Sequence, residues 1–164
     1  VNVLLCATCE TRLTEPVRRL DEMPPYPGGD GLPDLDDPRP GPPSVPRGTY
    51  AVDPHPFGAP YVPYDGPAGE YAGVSPGGGW KSDARGLLLS AGPRGTYVLH
   101  PLDAVGLAPH PDGTRLVGCC GPDGTRGVNH VCACGAEVAI VAADCCIPGE
   151  TRFVPDAVRV EAAA

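Results

Sequence analysis

The chain has 164 residues, with glycine and proline at 23 each, a composition that suits one domain with a modest core. A formal net charge of −8 argues against a molecule that binds phosphate backbones over its surface. No apolar run approaches the ~20 residues that cross a bilayer as a helix, so neither nucleic acid nor membrane is an expected partner.

In chain order, Val1–Leu5 is apolar and β-prone, Cys6-Ala7-Thr8-Cys9 makes a tight turn, and Thr11–Val17 alternates again. This reads as strand, knuckle, strand. The segment Glu15–Met23 predicts a short helix opened by Pro16 at its first position. Pro24–Arg47 holds nine Pro and four Gly in 24 residues and reads as a linker or surface loop, because it cannot bury enough apolar area to offset ordering. Gly48–Trp80 carries Tyr50, Phe57, Tyr61, Tyr64, Tyr71 and Trp80 among prolines and glycines. The bland reading is that these rings fill a thin core. The functional reading is a contact surface for an extended partner.

Gly86–Ser90 and Thr96–His100 flank Gly92-Pro93-Arg94-Gly95 and predict a hairpin. Pro101–Val105 suits one helical turn, and Arg115–Cys119 suits a short strand. Thr151–Val154 and Ala157–Val160 read as closing strands, and no helix longer than about two turns is expected. The fold class is therefore mainly β with extensive loops, a single domain over residues 1–164.

The chemistry-bearing residues are the eight cysteines. No basic run followed by an apolar stretch opens Val1–Arg12, so the expected address is cytoplasmic, where thiols stay reduced. Cysteines in that setting point to metal ligation or redox work before disulfides. Cys6-x-x-Cys9 on a turn aims two sulfurs at one point, and a tetrahedral Zn²⁺ is completed by a second such turn. Cys132-Ala133-Cys134-Gly135 is the candidate, with Gly135 free to take positive φ beside the sulfur. LLCATCETRL and NHVCACGAEV overlay with Cys9 on Cys134, but Cys6 then falls on Val131. Either Cys132 supplies the fourth ligand, or Cys119, Cys120 or His130 replaces it. Cys119, Cys120, Cys145 and Cys146 are left for a second site, in which one member of each adjacent pair would serve, or for apolar filler.

With these motifs the chain resembles zinc-ribbon proteins over residues 1–17 and 115–146, with the rest inserted between the knuckles. It also resembles small actinobacterial proteins carrying a terminal CxxC and a distal GCCG, CxCG and DC. The low Lys content (Lys81 alone), the missing Gln and the abundance of Ala, Gly, Pro, Arg, Val and Asp agree with a GC-rich bacterial source. The resemblance implies a metal-stabilised protein with a zinc-ribbon-like core and no particular activity.

Catalytic patterns are sparse. H-E-x-x-H is missing, and His55, His100 and His110 each precede proline, as loop residues do. No catalytic residue is assigned. The preferred expectation is a structural-zinc accessory or protein-interaction module, with a protein partner or none. One alternative is a thiol-redox or metal-dependent enzyme built on the cysteine cluster. The other is a soft-metal sensor or store. A thioredoxin-type dithiol would open a helix, whereas Thr11, Leu13, Thr14 and Pro16 follow Cys9.

Overall fold

The computed structural model describes residues 1–26, 41–66, 80–83 and 86–163. Among them the chain forms β1 (Asn2–Cys6), β2 (Arg18–Arg19), β3 (Gly41–Pro43), β4 (Thr49–Asp53) and β5 (Tyr61–Pro63). These are followed by β6 (Trp80–Asp83), β7 (Gly86–Ser90), β8 (Thr96–Leu99) and β9 (Leu107–Pro109). The last four are β10 (His130–Cys132), β11 (Glu137–Ala142), β12 (Pro148–Phe153) and β13 (Val158–Ala162). Helical structure among the described residues is confined to 3-10 turns at Pro101–Asp103, Gly113–Arg115 and Pro155–Ala157. A chain so rich in glycine and proline cannot sustain the i to i−4 ladder, and strand pairs joined by loops are what remain.

The largest sheet runs β2-β4-β8-β12-β11-β10-β9, with β3 paired in parallel to β12. All six residues of β12 are buried, which makes it the spine of the molecule. β1 pairs antiparallel with β13, Cys6 opposite Val158, so the two ends of the chain lie together. After the Cys6–Cys9 turn the chain returns along β1: Leu5 bridges Arg12, Asn2 bridges Val17, and Leu13 N–H donates to Leu4 C=O at 2.8 Å. Thr14 is wholly buried there and accepts from Leu4 N–H at 3.0 Å. Leu4, Leu13, Val17, Tyr50, Leu99, Val138, Phe153 and Val158 form one core with Cys6 and Cys132 at its margin.

Three local expectations are corrected. Glu15–Met23 is not a helix: Val17 bridges Asn2 and Arg18–Arg19 pair with β4, because the apolar alternation of Leu13 and Val17 is used against β1 and the core. The two runs around Gly92–Gly95 are strands, but they do not pair with each other. β7 lies between β5 and β6, and β8 between β4 and β12. The connecting loop is held instead by Phe57 and Gly58. Phe57 N–H donates to Pro93 C=O at 3.2 Å, and the Ser90 hydroxyl donates to Gly58 C=O at 2.6 Å. Finally, Arg115–Cys119 is not a strand but a 3-10 turn and bends leading into the paired cysteines.

Other local readings hold in part: the strand expected over Thr11–Val17 is present only as isolated bridges to Asn2, Leu5 and Ala104, and the described end of the linker packs into the fold. Pro101–Asp103 is the single turn expected, and β12 and β13 are the closing strands. Tyr50 and Phe57 are buried, which makes them core and takes them out of the proposed contact surface; Tyr71 lies outside the described residues. Of the Pro/Gly-rich stretch, residues 27–40 lie outside the described residues, while Gly41–Pro43 pairs with β12 and Val45 is buried. This near end of the stretch is fixed by Asp103, whose buried carboxylate accepts from Arg47 Nε and Gly48 N–H, both at 2.7 Å.

Candidate metal centre

Two short loops bring four cysteines together. The first leaves β1 at Cys6, where Cys6 N–H donates to Thr11 C=O and Glu10 N–H donates to Cys6 C=O, both at 2.9 Å. The second leaves β10 at Cys132, where Cys132 N–H donates to Ala136 C=O at 2.9 Å and Gly135 N–H to Cys132 C=O at 2.8 Å. The two frames are the same, and the second is one residue shorter. That is how C-x-C matches C-x-x-C: the missing residue comes out of the loop between the sulfurs, and the closing hydrogen bonds stay. The residue after the last cysteine has positive φ in both, 63° at Glu10 and 87° at Gly135.

The Sγ atoms of Cys6, Cys9, Cys132 and Cys134 all lie within 4.8 Å of one another. Cys6 and Cys134 sulfurs are 3.8 Å apart, and Cys9 and Cys132 sulfurs 3.5 Å. Tetrahedral zinc–thiolate bonds of about 2.3 Å put neighbouring sulfurs about 3.8 Å apart, so this set could hold one metal ion. A disulfide needs about 2.05 Å, and all eight cysteines are free thiols. Each loop gives one buried sulfur, Cys6 or Cys132, and one exposed sulfur, Cys9 or Cys134. The centre therefore sits at the surface with its back on the core.

Backbone N–H groups approach these sulfurs, as they do in metal–thiolate loops. The Thr11 hydroxyl and then its N–H bring the Cys9 thiol down to about 6. Burial pushes Cys132 up to about 12, against the pull of the Cys134 N–H. Ala136 N–H lowers Cys134, but Cys9, burial and Cys6 together leave it raised.

Of the candidates for the fourth position, Cys132 alone enters the cluster. His130 Nδ1 is turned to Asn129 Oδ1 at 2.9 Å, and Cys119 and Cys120 belong elsewhere. Sequence reasoning missed Asn129. It is wholly buried, its Nδ2 donates to Val141 C=O at 2.8 Å, and its Oδ1 accepts from Val141 N–H at 2.7 Å. It holds β10 to β11 and thus the second loop in place. A buried Asn before a strand carries no sequence signal that separates it from a turn residue.

The other four cysteines gather around Asp144, which is buried at 3% exposure. Its carboxylate accepts from Cys119 N–H and, at 3.0 Å, from Cys146 N–H. Burial would raise this carboxyl, but those two N–H groups together with the Cys145 and Cys146 thiols outweigh it and hold it below its ordinary range. Cys120, Asp144 and Cys145 place one ligand atom each within 4.8 Å of one another. Filler is excluded for Cys119, Cys120 and Cys146, which are exposed; Cys145 is buried.

No protein-family profile, no curated protein and no solved structure matches this chain. Among the described residues, no helix is long and apolar enough to cross a membrane.

Proposed function

We propose that the chain is a bacterial, cytoplasmic accessory or protein-interaction module whose fold is closed by one structural Zn²⁺ on Cys6, Cys9, Cys132 and Cys134. The observation that carries this is the convergence of four sulfurs from positions more than 120 residues apart on two loops of matching hydrogen-bond frame. Two such loops facing one ion are the core of a zinc ribbon, with residues between Val17 and Leu107 as the insertion. Four thiolates suit zinc or a softer ion, and reduced zinc–thiolate sites are the ordinary case in the cytosol. All four positions are filled by protein, which leaves no open site for water or substrate and points to a structural role. The charge of −8 favours a protein partner over nucleic acid.

A thiol-redox reading draws on one observation, that Cys9 is a free thiol exposed at the surface beside three others. The two readings separate on one preparation. Protein purified without added metal is expected to carry near-stoichiometric zinc, with Cys9 slow to alkylate until a chelator is added. Zinc-free, folded protein with a fast-reacting Cys9 would overturn the structural-zinc reading and favour the redox one.

A further inference from the structure

We propose that the second cysteine cluster is a second metal site, in which Cys120, Cys145 and Asp144 bind a thiophilic divalent ion. This site is separate from the four-sulfur centre and does not depend on it.

The cluster is built, not incidental. Gly118 and Gly121 bracket the paired cysteines, and each is packed where a side chain cannot go. A Cβ at Gly118 would collide with the Gly121 carbonyl and the Asp144 carboxylate, and one at Gly121 with the Ala143 carbonyl. The Gly-Cys-Cys-Gly loop is thereby pressed against Asp144. Ala143 N–H donates to Pro122 C=O at 2.8 Å and closes the far side of the same loop. Asp144, in turn, fixes both cysteine pairs through the N–H groups of Cys119 and Cys146.

Cys120 Sγ lies 3.9 Å from Asp144 Oδ1 and accepts from Cys145 N–H at 2.9 Å. A backbone N–H aimed at a sulfur is what orients and stabilises a metal-bound thiolate. The ligand atoms of Cys120, Asp144 and Cys145 all lie within 4.8 Å of one another, and Cys146 Sγ lies outside that set, 3.8 Å from Cys145 Sγ. Cys145 and Asp144 are buried while Cys120 and Cys146 face solvent, so one side of the site is fixed and the other open. Two thiolates and a carboxylate suit Zn²⁺; the oxygen donor disfavours Cu(I), which selects sulfur alone. An ion held from one side exchanges more readily than one enclosed by four loop sulfurs.

The test is metal stoichiometry on the full chain, kept reduced and equilibrated with excess Zn²⁺ before removal of free metal. Wild type is expected to hold two zinc ions, and Cys120→Ser, which changes only an exposed side chain, one. Cys132→Ser should also lower the count, but by loss of the other ion. Loading with ¹¹³Cd²⁺ gives an independent reading on unaltered protein: two resonances, one in the four-thiolate range and one shifted towards mixed sulfur–oxygen ligation. A single equivalent in wild type that disappears in Cys132→Ser and persists in Cys120→Ser would overturn the second site and leave the first standing. A Cys120–Cys145 disulfide in zinc-equilibrated, reduced protein would overturn it as well. Two equivalents retained in Cys120→Ser, with both resonances unmoved, would place the second ion elsewhere.

Discussion

The molecule closes its sheets in two places by opposite chemistry. At one, four neutral or anionic sulfurs from distant loops meet at the surface and could hold an ion. At the other, inside the spine strand β12, Arg152 is wholly buried and carries its own counter-charges: Glu150 Oε2 at 2.5 Å from Nε and Asp53 Oδ2 at 2.7 Å from Nη1. Its guanidinium also lies 4.0 Å from the centre of the Phe57 ring, and Ser44 donates to Glu150 from the near end of the Pro/Gly-rich stretch. On the zinc reading proposed above, the first closure is conditional on an ion the chain must acquire. The second is complete in the chain, and its strength is limited by the cost of taking three charged groups out of water. The sulfur centre should thus decide whether the ends dock, and the charge cluster whether the middle folds.

Metal removal is the largest lever. Structural Zn²⁺ contributes roughly 10–16 kcal/mol of apparent binding energy in small finger peptides, comparable to the whole ~5–15 kcal/mol that separates most folded domains from their unfolded states. Stripping the metal with a strong chelator should lower Tm by more than 10 °C. Amide exchange should show where: protection lost first in β1, β13 and β10, and last in β4, β8 and β12. Uniform loss would break the comparison, because the two closures would then be one cooperative unit. An unchanged melt after confirmed metal removal would remove the sulfur centre from the stability account altogether.

Arg152→Met comes next. It keeps most of the volume and the ring contact but takes the guanidinium away from Glu150 and Asp53, which retain the Ser44 hydroxyl and the His55 N–H, and removing one partner of a buried pair typically costs about 3–5 kcal/mol. For a chain of this size that is a fall in Tm of roughly 6–20 °C, read alongside urea denaturation. Zinc content should not change. Adding Glu150→Gln and Asp53→Asn should restore part of the loss, since the penalty lies in buried carboxylates deprived of the Arg152 guanidinium. Loss of zinc from Arg152→Met would show that the centre of the sheet sets the geometry of the sulfur loops.

Between these lies Asn129→Ala, which leaves Val141 N–H and C=O without their side-chain partner inside the sheet. Unsatisfied buried groups cost about 1–3 kcal/mol each, and relaxation of β11 should keep the total near the lower end of the pair. Here both closures are touched at once, because Asn129 sits on the strand pair that carries Cys132 and Cys134. The expected signature is moderate destabilisation in urea together with faster zinc loss to a competing chelator. Destabilisation without faster metal loss would mean that the loop's own hydrogen bonds suffice to place the sulfurs.

What the sequence made legible follows the same division. Cysteine spacing is a local signal, so the Cys6–Cys9 turn and Gly135 could be read directly, the strand expected after the turn survives only as isolated bridges, and the meeting of Cys132 with them could be posed as a choice. The charge cluster could not be read. PGETRF looks like a polar turn leading into a short strand, and only its position between β8 and β11 makes Glu150 and Arg152 interior. The hairpin expected around Gly92–Gly95 failed for a related reason. Two β-prone runs and a turn fix strand propensity but not the partner, and Phe57 and Gly58 hold the loop where the runs diverge into different sheets.

The smallest effect compares the two sulfur loops with each other. Glu10 and Gly135 occupy the same place in matching frames, at φ of 63° and 87°, but only one is glycine. A left-handed conformation costs a residue with a Cβ about 1–2 kcal/mol. A Cβ at Gly135 would meet nothing within 4 Å, so Gly135→Ala isolates that backbone cost and should destabilise by about 1 kcal/mol. Glu10→Gly should return a similar amount in the other loop, less what it forfeits in an exposed ion pair with Arg159 at 2.7 Å and in the greater freedom of glycine in the unfolded chain. The net gain is expected below about 1 kcal/mol, and Glu10→Asn, which tolerates this conformation without that freedom, should match or exceed it. If Glu10→Gly instead destabilises strongly while Arg159→Ala does not, the glutamate must be contributing to the loop beyond its ion pair. The two loops would then share a hydrogen-bond frame without sharing the balance of forces that holds it.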